Sequence, residues 1–312
     1  RAKTASSAAT ETVKEIWRPF RLPEGENRFE RKSYHILNVL MSDINVLTAN
    51  IGDMALKRRV TRIISRLELQ EQDVVLDCGC GDGLYLKIIR ELGNYRIIGF
   101  DLNNDSLKLA QDISAESAPL IQGDITRLPF EDGCFDKIFS TEVLEHLPDD
   151  LSGLKEIYRV LKPGGKLIIT VPNHNYPFFW DPLNWVLEKL SGQHVKSGLF
   201  AGIWNTHLRL YYPQEIESLA QKTGFKINAV ELLTHYCVPF NHIILYALKQ
   251  VLNSGVLPPA MRNSADKFSA DKGKQSVLIK SGYKLLNCID KLNDKVLSGK
   301  SSVAVLIEAT KA

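Results

Sequence analysis

Eleven residues, Asp73 to Gly83, constrain this chain more than any other stretch: they read Asp-Val-Val-Leu-Asp-Cys-Gly-Cys-Gly-Asp-Gly. Val74, Val75 and Leu76 carry no charge, which suits a strand buried on both faces of a parallel sheet. Gly79, Gly81 and Gly83 then fall at alternate positions, where a backbone without Cβ atoms can turn tightly and approach a ligand. Leu84, Leu86, Ile88, Ile89 and Leu92 follow at helical spacing. Strand, glycine loop and helix start together aim backbone N–H groups at a ligand. A dinucleotide loop wants G-x-G-x-x-G, and its third glycine would fall on Leu84. From the loop alone, a plain strand-to-helix turn remains the alternative.

Downstream the alternation continues. Arg96–Leu102 reads as a second strand ending at Asp101, a position from which a carboxylate accepts both hydroxyls of a ribose. The structural alternative for Asp101 is capping a helix that begins near Asn104. Pro119–Ile125 is a third strand ending at Asp124, and Phe135–Glu142 a fourth that runs on as Val143-Leu-Glu-His-Leu-Pro148. A helix over Leu151–Leu161, closed by Lys162-Pro-Gly-Gly165, leads to a fifth strand, Lys166–Val171. A helix over Gln214–Thr223, a sixth strand over Lys226–Tyr236 and a seventh over Ser302–Thr310 complete the pattern. Strands alternating with helices predict an α/β, doubly wound, Rossmann-like seven-stranded sheet with ligands at the carboxyl ends of its strands.

The predicted organisation has five parts: an N-terminal helical cap (1–70), an α/β core (71–175), an aromatic lid insertion (176–210), the rest of the sheet (211–237 and 301–312) and a helical insertion between the last two strands (238–300). In the cap, Glu15 to Arg31 reads as a segment that covers a pocket, and Tyr34 to Leu69 as two or three helices with a break at Gly52-Asp53. The lid packs Tyr176, Phe178, Phe179, Trp180 and Trp185 close together. Two readings stand side by side: an extra helical layer with its own small core, or a cover presenting apolar area to a substrate. The last insertion is expected to hold helices over Ile243–Leu252 and Val277–Leu297.

Gly-Asp124-Ile, Phe-Asp136, Glu142-Val-Leu-Glu-His146 and Leu-Lys-Pro-Gly-Gly165 stand in the order and spacing of the class I S-adenosylmethionine (SAM) methyltransferases. The chain resembles that family over residues 70–175 and, more loosely, 205–235, and is most similar to its small-molecule and lipid branch. The resemblance implies SAM as cofactor. It implies Gly79, Gly81 and Gly83 against the methionine part, Asp77 holding the ammonium and Asp101 taking the ribose hydroxyls, with Leu102 beside them. It further implies Asp124 and Ile125 at the adenine, and Thr141 and Glu142 near the sulfonium. Three histidines are candidates for handling an acceptor's proton: His146 after the fourth strand, His174 after the fifth and His207 after the lid. Each has an ordinary structural role as its alternative.

Composition narrows the acceptor. Of 312 residues 44% are hydrophobic and 24% charged, ordinary for a globular chain. Residues 1–70 carry 13 Lys and Arg against 8 Asp and Glu, residues 71–252 carry 16 against 23, and residues 253–312 carry 10 against 5. An acidic body with basic flanks is expected to allow peripheral contact with an anionic membrane surface; a solvated surface is the alternative. No run of 18 apolar residues and no apolar leader is visible, which predicts a cytoplasmic protein, with a membrane-peripheral one as the alternative. Five scattered cysteines read as free thiols, and neither a second pair nor a His cluster joins Cys78-x-Cys80, so no metal is expected. Ser140-Thr-Glu-Val143 stands where methyltransferases of DNA amines carry Asn/Asp-Pro-Pro-Tyr, so no DNA partner is expected. The expected activity is methyl transfer, preferably to oxygen, on a hydrophobic small molecule, lipid or lipid-linked saccharide. The competing expectations are a non-catalytic SAM-binding partner subunit and an enzyme acting on protein or RNA. The oligomeric state is left open.

Overall fold

The computed structural model describes residues 43–49, 51–114, 118–237, 240, 277–294, 296 and 301–312. The expectations for residues 1–42 and for a helix at Ile243–Leu252 lie outside them. Seven strands form one sheet in the order β3-β2-β1-β4-β5-β7-β6. They are β1 (Val74–Cys78), β2 (Arg96–Asp101), β3 (Leu120–Gln122), β4 (Phe135–Thr141), β5 (Leu161–Pro172), β6 (Phe225–Leu233) and β7 (Ala304–Lys311). The first five strands are mutually parallel, and β7 lies antiparallel between β5 and β6. The helices are α1 (Met54–Leu67), α2 (Leu84–Leu92), α3 (Asn104–Ser114), α4 (Asp150–Val160), α5 (Pro182–Ser191), α6 (Pro213–Thr223) and α7 (Val277–Asn293).

The two faces of the sheet bury separate cores. One joins Leu76, Ile138 and Ile169 to Leu154, Ile157 and Val160 of α4 and Ile216 and Ala220 of α6. The other joins Val75, Ile97 and Phe139 to Val60, Ile63, Ile64 and Leu67 of α1 and Leu86, Ile88 and Ile89 of α2. Successive strand residues point to opposite faces, so Val75 and Leu76 serve different cores, and the uncharged run of β1 satisfies both. Asp53 starts α1: its carboxylate accepts from the Ala55 and Leu56 N–H groups at 2.9 and 3.2 Å, the break expected from the sequence.

Two charged sets tie helices to the sheet and to each other. Arg66 pairs with Glu231 at 2.6 Å and Glu308 at 2.7 Å, and Lys166 with Glu308 at 3.1 Å and Glu68 at 2.7 Å, joining α1 to β5, β6 and β7. Arg58 pairs with Asp290 and Asp294, which fastens α7 onto α1. Lys162-Pro-Gly-Gly165 departs from its expected role as a turn beyond α4. The helix ends at Val160, Leu161 already pairs with Phe135, and residues 162–165 bulge out before pairing resumes at Lys137↔Lys166.

Gly83 sits at the start of α2 with φ +82°, and a Cβ there would meet the Ala110 Cβ at 2.9 Å and its Cα at 3.0 Å. Both the backbone conformation and the close packing of α2 on α3 therefore exclude a side chain. Gly83→Ala is expected to lower unfolding free energy by about 1–3 kcal/mol, read as a drop in the thermal midpoint.

Candidate active site

The strand order reverses direction between β1 and β4, and an open sheet of this kind has its crevice there, beyond the carboxyl ends of the strands. A cavity of about 870 Å³ opens at that place. Gly79 makes its floor possible. Its φ is +93°, a Cβ would come within 2.2 Å of the Val143 Cγ2, and the Gly79 and Cys80 N–H groups both donate to the Phe100 carbonyl, at 2.7 and 3.0 Å. Gly81 has open space before it and donates its N–H to Asp101 at 2.8 Å, so the tip of β2 holds the loop after β1 in shape. The other Asp101 oxygen accepts from the Asn103 N–H at 2.8 Å.

The structure brings most of the sequence-selected residues to this wall. Gly79, Gly81, Asp101, Leu102, Asp124, Ile125, Thr141, Glu142 and His146 all line it. Asp124 also caps a short 3-10 turn, accepting from the Thr126 N–H and hydroxyl at 2.9 and 2.8 Å, which holds its carboxyl below its ordinary range. Gly83 and Asp77 are not on the wall. Asp77 is fully buried, neither of its oxygens has a hydrogen-bond partner among the described residues, and burial, then the charges of Asp101 and Asp82, push its pKa well up. His174 is also off the wall, stacked on Tyr212 at 4.4 Å.

Charge on the wall is one-sided. Asp82, Asp101, Asp124, Glu142 and Asp149 face a single Arg or Lys, Arg59, among the described residues. Arg59 pairs with Glu142 at 2.9 Å while its Nε is buried without a hydrogen-bond partner among the described residues. Glu142 stands at the tip of β4 with φ +54°, a conformation that costs a non-glycine residue free energy and concentrates at working sites. Such a cavity suits a ligand with net positive charge and repels a pyrophosphate. A SAM molecule, with a sulfonium, an ammonium and one carboxylate, fits that balance.

Next to this wall two distant segments meet. The turn Leu144–His146 packs on residues 206–211. Leu208 donates its N–H to the Glu145 carbonyl at 3.0 Å, and the Tyr211 hydroxyl reaches the Leu144 carbonyl at 3.2 Å and Asp150 at 2.7 Å. Arg209 clamps the same Asp150 at 2.6 Å. The His146 and His207 rings lie edge to face, 4.8 Å apart, beside Glu145. Burial, then the neighbouring His146, lowers the His207 pKa to about 4, so it is neutral at neutral pH. Glu145 is wholly buried and its pKa is pushed well up by burial and then by Glu142.

The family described as Methyltransferase domain matches residues 76–169. The match covers 94 of the 312 residues. A demethylmenaquinone methyltransferase of Oceanobacillus iheyensis is 28% identical over 145 residues, 45% of this chain and 61% of the relative. A ubiquinone biosynthesis O-methyltransferase of Idiomarina loihiensis is 32% identical over 160 residues, 50% of this chain and 63% of the relative. The chain thus spans about three fifths of the length of these two relatives. A solved SAM dependent methyltransferase from Archaeoglobus fulgidus gives a TM-score of 0.48 at 18% identity, over 82% of this chain and 93% of that one. The matched residues coincide with β1 to β5, the strands that build the cavity.

Arg59, Tyr85, Leu56 and Glu145 were not singled out from the sequence, yet the first three line the cavity and the last borders it. Glu145 stood inside the Glu142-Val-Leu-Glu-His146 run. Arg59 stood third in Lys57-Arg58-Arg59, and nothing in that run marks which cation turns inward.

Asp77 supplies a test of the site's electrostatics. A carboxyl whose folded-state pKa lies above the ordinary value of 3.8 leaves the fold at full stability below that value, and stability declines as pH rises toward the folded pKa. Asp77→Asn removes the decline. Its ligand-free form is expected to be more stable than wild type at pH 7 by roughly 1–3 kcal/mol, and equal to it near pH 3.5, in chemical denaturation.

Proposed function

We propose that this chain is a SAM-dependent methyltransferase that moves the methyl group to an oxygen of a hydrophobic small molecule, lipid or lipid-linked saccharide. The observation that carries the reading is the cavity at the β1–β4 switch point, with five carboxylates against one arginine on its wall and the orphaned Asp77 below it. Two relatives named for menaquinone and ubiquinone methylation support a hydrophobic acceptor. SAM supplies a methyl group already activated by a positively charged sulfur, so the protein's task is to align it with a nucleophile.

The residues divide that task. Asp101 accepts the ribose hydroxyls, and its bond to the Gly81 N–H keeps the loop closed while it does so. Asp124 and Ile125 take the adenine. Arg59 and Asp77 take the carboxylate and the ammonium of the methionine end. Thr141 and Glu142 at the tip of β4 border the reacting centre, and their carboxylate and hydroxyl favour positive charge there. His146 and His207 receive the acceptor's hydroxyl at the rim; His174, held against Tyr212, has no part in it. The exposed Phe178, Phe179, Leu190 and Phe200 and the basic flanks support a peripheral approach to membrane-borne acceptors.

Two measurements test this reading. Asp101→Ala is expected to weaken SAM binding by about 1–3 kcal/mol in calorimetry; unchanged affinity removes the ribose role. With SAM labelled in its methyl group and a cell extract as the source of acceptors, label is expected in the organic-solvent phase. Label confined to protein or RNA overturns the acceptor class, and no label with retained SAM binding favours a non-catalytic partner subunit.

A further inference from the structure

The cluster of Glu145, His146 and His207 has more chemistry than two histidines need for proton transfer. The His146 Nδ1 lies 3.0 Å from the Thr206 carbonyl. A carbonyl only accepts, so Nδ1 carries the hydrogen and Nε2 keeps its lone pair. That Nε2 stands 3.8 Å from the Glu145 Oε1, and the His207 Nε2 stands 3.9 Å from the same oxygen. These separations are too long for hydrogen bonds. Neither Glu145 oxygen has a hydrogen-bond partner among the described residues, although the side chain is wholly buried. One potential ligand atom from each of the three side chains falls in a group no more than 4.8 Å across.

A buried carboxylate is retained where something positive satisfies it. Here two imidazole nitrogens converge with it, and the polar contact behind His146 fixes that ring's tautomer, the arrangement common behind metal-bound histidines. We propose that Glu145, His146 and His207 bind a divalent transition-metal ion at the rim of the cavity. Bonds of about 2.0–2.2 Å at tetrahedral angles hold ligand atoms about 3.4 Å apart, so the two contacts of Glu145 would close by roughly half an ångström and the widest separation in the group, now 4.8 Å, by about 1.4 Å, through side-chain rotation. Two nitrogens and one carboxylate oxygen favour zinc, manganese, iron(II) or cobalt(II) over calcium or magnesium. Three protein ligands leave positions open. Glu142 adds a second carboxylate nearby, with a buried Oε1 lacking a hydrogen-bond partner.

The inference deepens the proposed function and rests on it for one point, the ion's use. Because His146 and Glu142 also line the cavity, an ion they border stands where an acceptor oxygen arrives beside the methyl group. Bound to a cation, a hydroxyl gives up its proton to solvent at lower pH and is held in place, the role described for metal ions that generate oxygen nucleophiles. The oxygen's electron pair then forms the bond to the methyl carbon as the carbon–sulfur bond breaks, its pair passing to sulfur. The expectation of no metal rested on Cys78-x-Cys80, which neither a second cysteine pair nor a His cluster joins in the sequence. This site joins residues 145 and 207 across 62 positions, and α4's first turn helps hold the later segment there through Asp150, Arg209 and Tyr211.

The test is direct binding. The chelator-treated full chain is titrated with cobalt(II), read by its visible d–d absorption, and with zinc(II), read by calorimetry, with SAM affinity measured on the same preparations. One ion per chain is expected, with at least tenfold weaker binding in Glu145→Gln and in His207→Ala, loss of the cobalt spectrum, and SAM affinity within a factor of three of wild type. No stoichiometric binding by the wild-type chain overturns the proposal, whatever the variants do. So does an unchanged cobalt spectrum in folded Glu145→Gln and His207→Ala. Metal binding without methyl transfer to any acceptor would instead overturn the proposed function and leave the site standing. Methyl transfer that survives full metal removal would confine the ion to a structural role and overturn its use on the acceptor oxygen.

Discussion

The molecule depends on β1 running dry between β2 and β4 and then releasing its chain at Gly79. Two neighbouring strands that send their chains to opposite faces of a sheet must leave a gap beyond their ends. β1 leads through Gly79 into α2, and β4 leads through Val143 into the turn at residues 144–146, so the gap opens between those two paths. The Val143 side chain packs against Gly79 between these paths, where a Cβ would meet it at 2.2 Å. A side chain at 79 would push the β4 exit away and deform the cavity, which is why a glycine there has a packing reason beyond its backbone freedom.

The site stores unfavourable electrostatics on both sides of that gap. Asp77 and Glu145 are buried carboxyls without hydrogen-bond partners, and Glu142 is held in a left-handed conformation against Arg59. A chain selected for stability alone would place neutral or paired groups at Asp77 and Glu145, and a glycine at the left-handed position of Glu142. A site built to receive cations gains by keeping them, since each unsatisfied charge is relieved when its ligand arrives. The same logic separates the two charges proposed on the ligand side: a cationic cofactor near Asp77 and the β4 tip, and a metal ion near Glu145.

The aromatic stretch between β5 and α6 turned out to be a small packed unit. Tyr176, Ile203, Trp204 and Leu210 form its core, with Trp180 and Trp185 against it, and Asp181 holds Asn184 and the Ile203 N–H from inside. None of residues 176–210 lines the cavity. Of the two readings considered for it, an extra layer with its own core describes the packing; its exposed Phe178, Phe179 and Phe200 still offer apolar surface to a partner or bilayer. Its connection to the chemistry runs through its last residues, which deliver His207 to Glu145.

Local patterning by itself determined the parallel strands, the glycine loop and the acidic tips of β2 and β4. Each follows from short-range rules: uncharged runs bury on two faces, alternate glycines turn, and a carboxylate at a strand end faces the crevice. Only the tertiary structure decided which of Lys57, Arg58 and Arg59 turned inward, because helix α1 meets the sheet on one side and α7 on the other. Only it decided that Asp77 lies behind the wall while Asp101, with the same chemistry, lies on it. And only it decided that His207, and not His174, would join His146. That choice is a long-range contact, set by how the Asp150 carboxylate satisfies Arg209 and Tyr211, and no spacing within either segment encodes it.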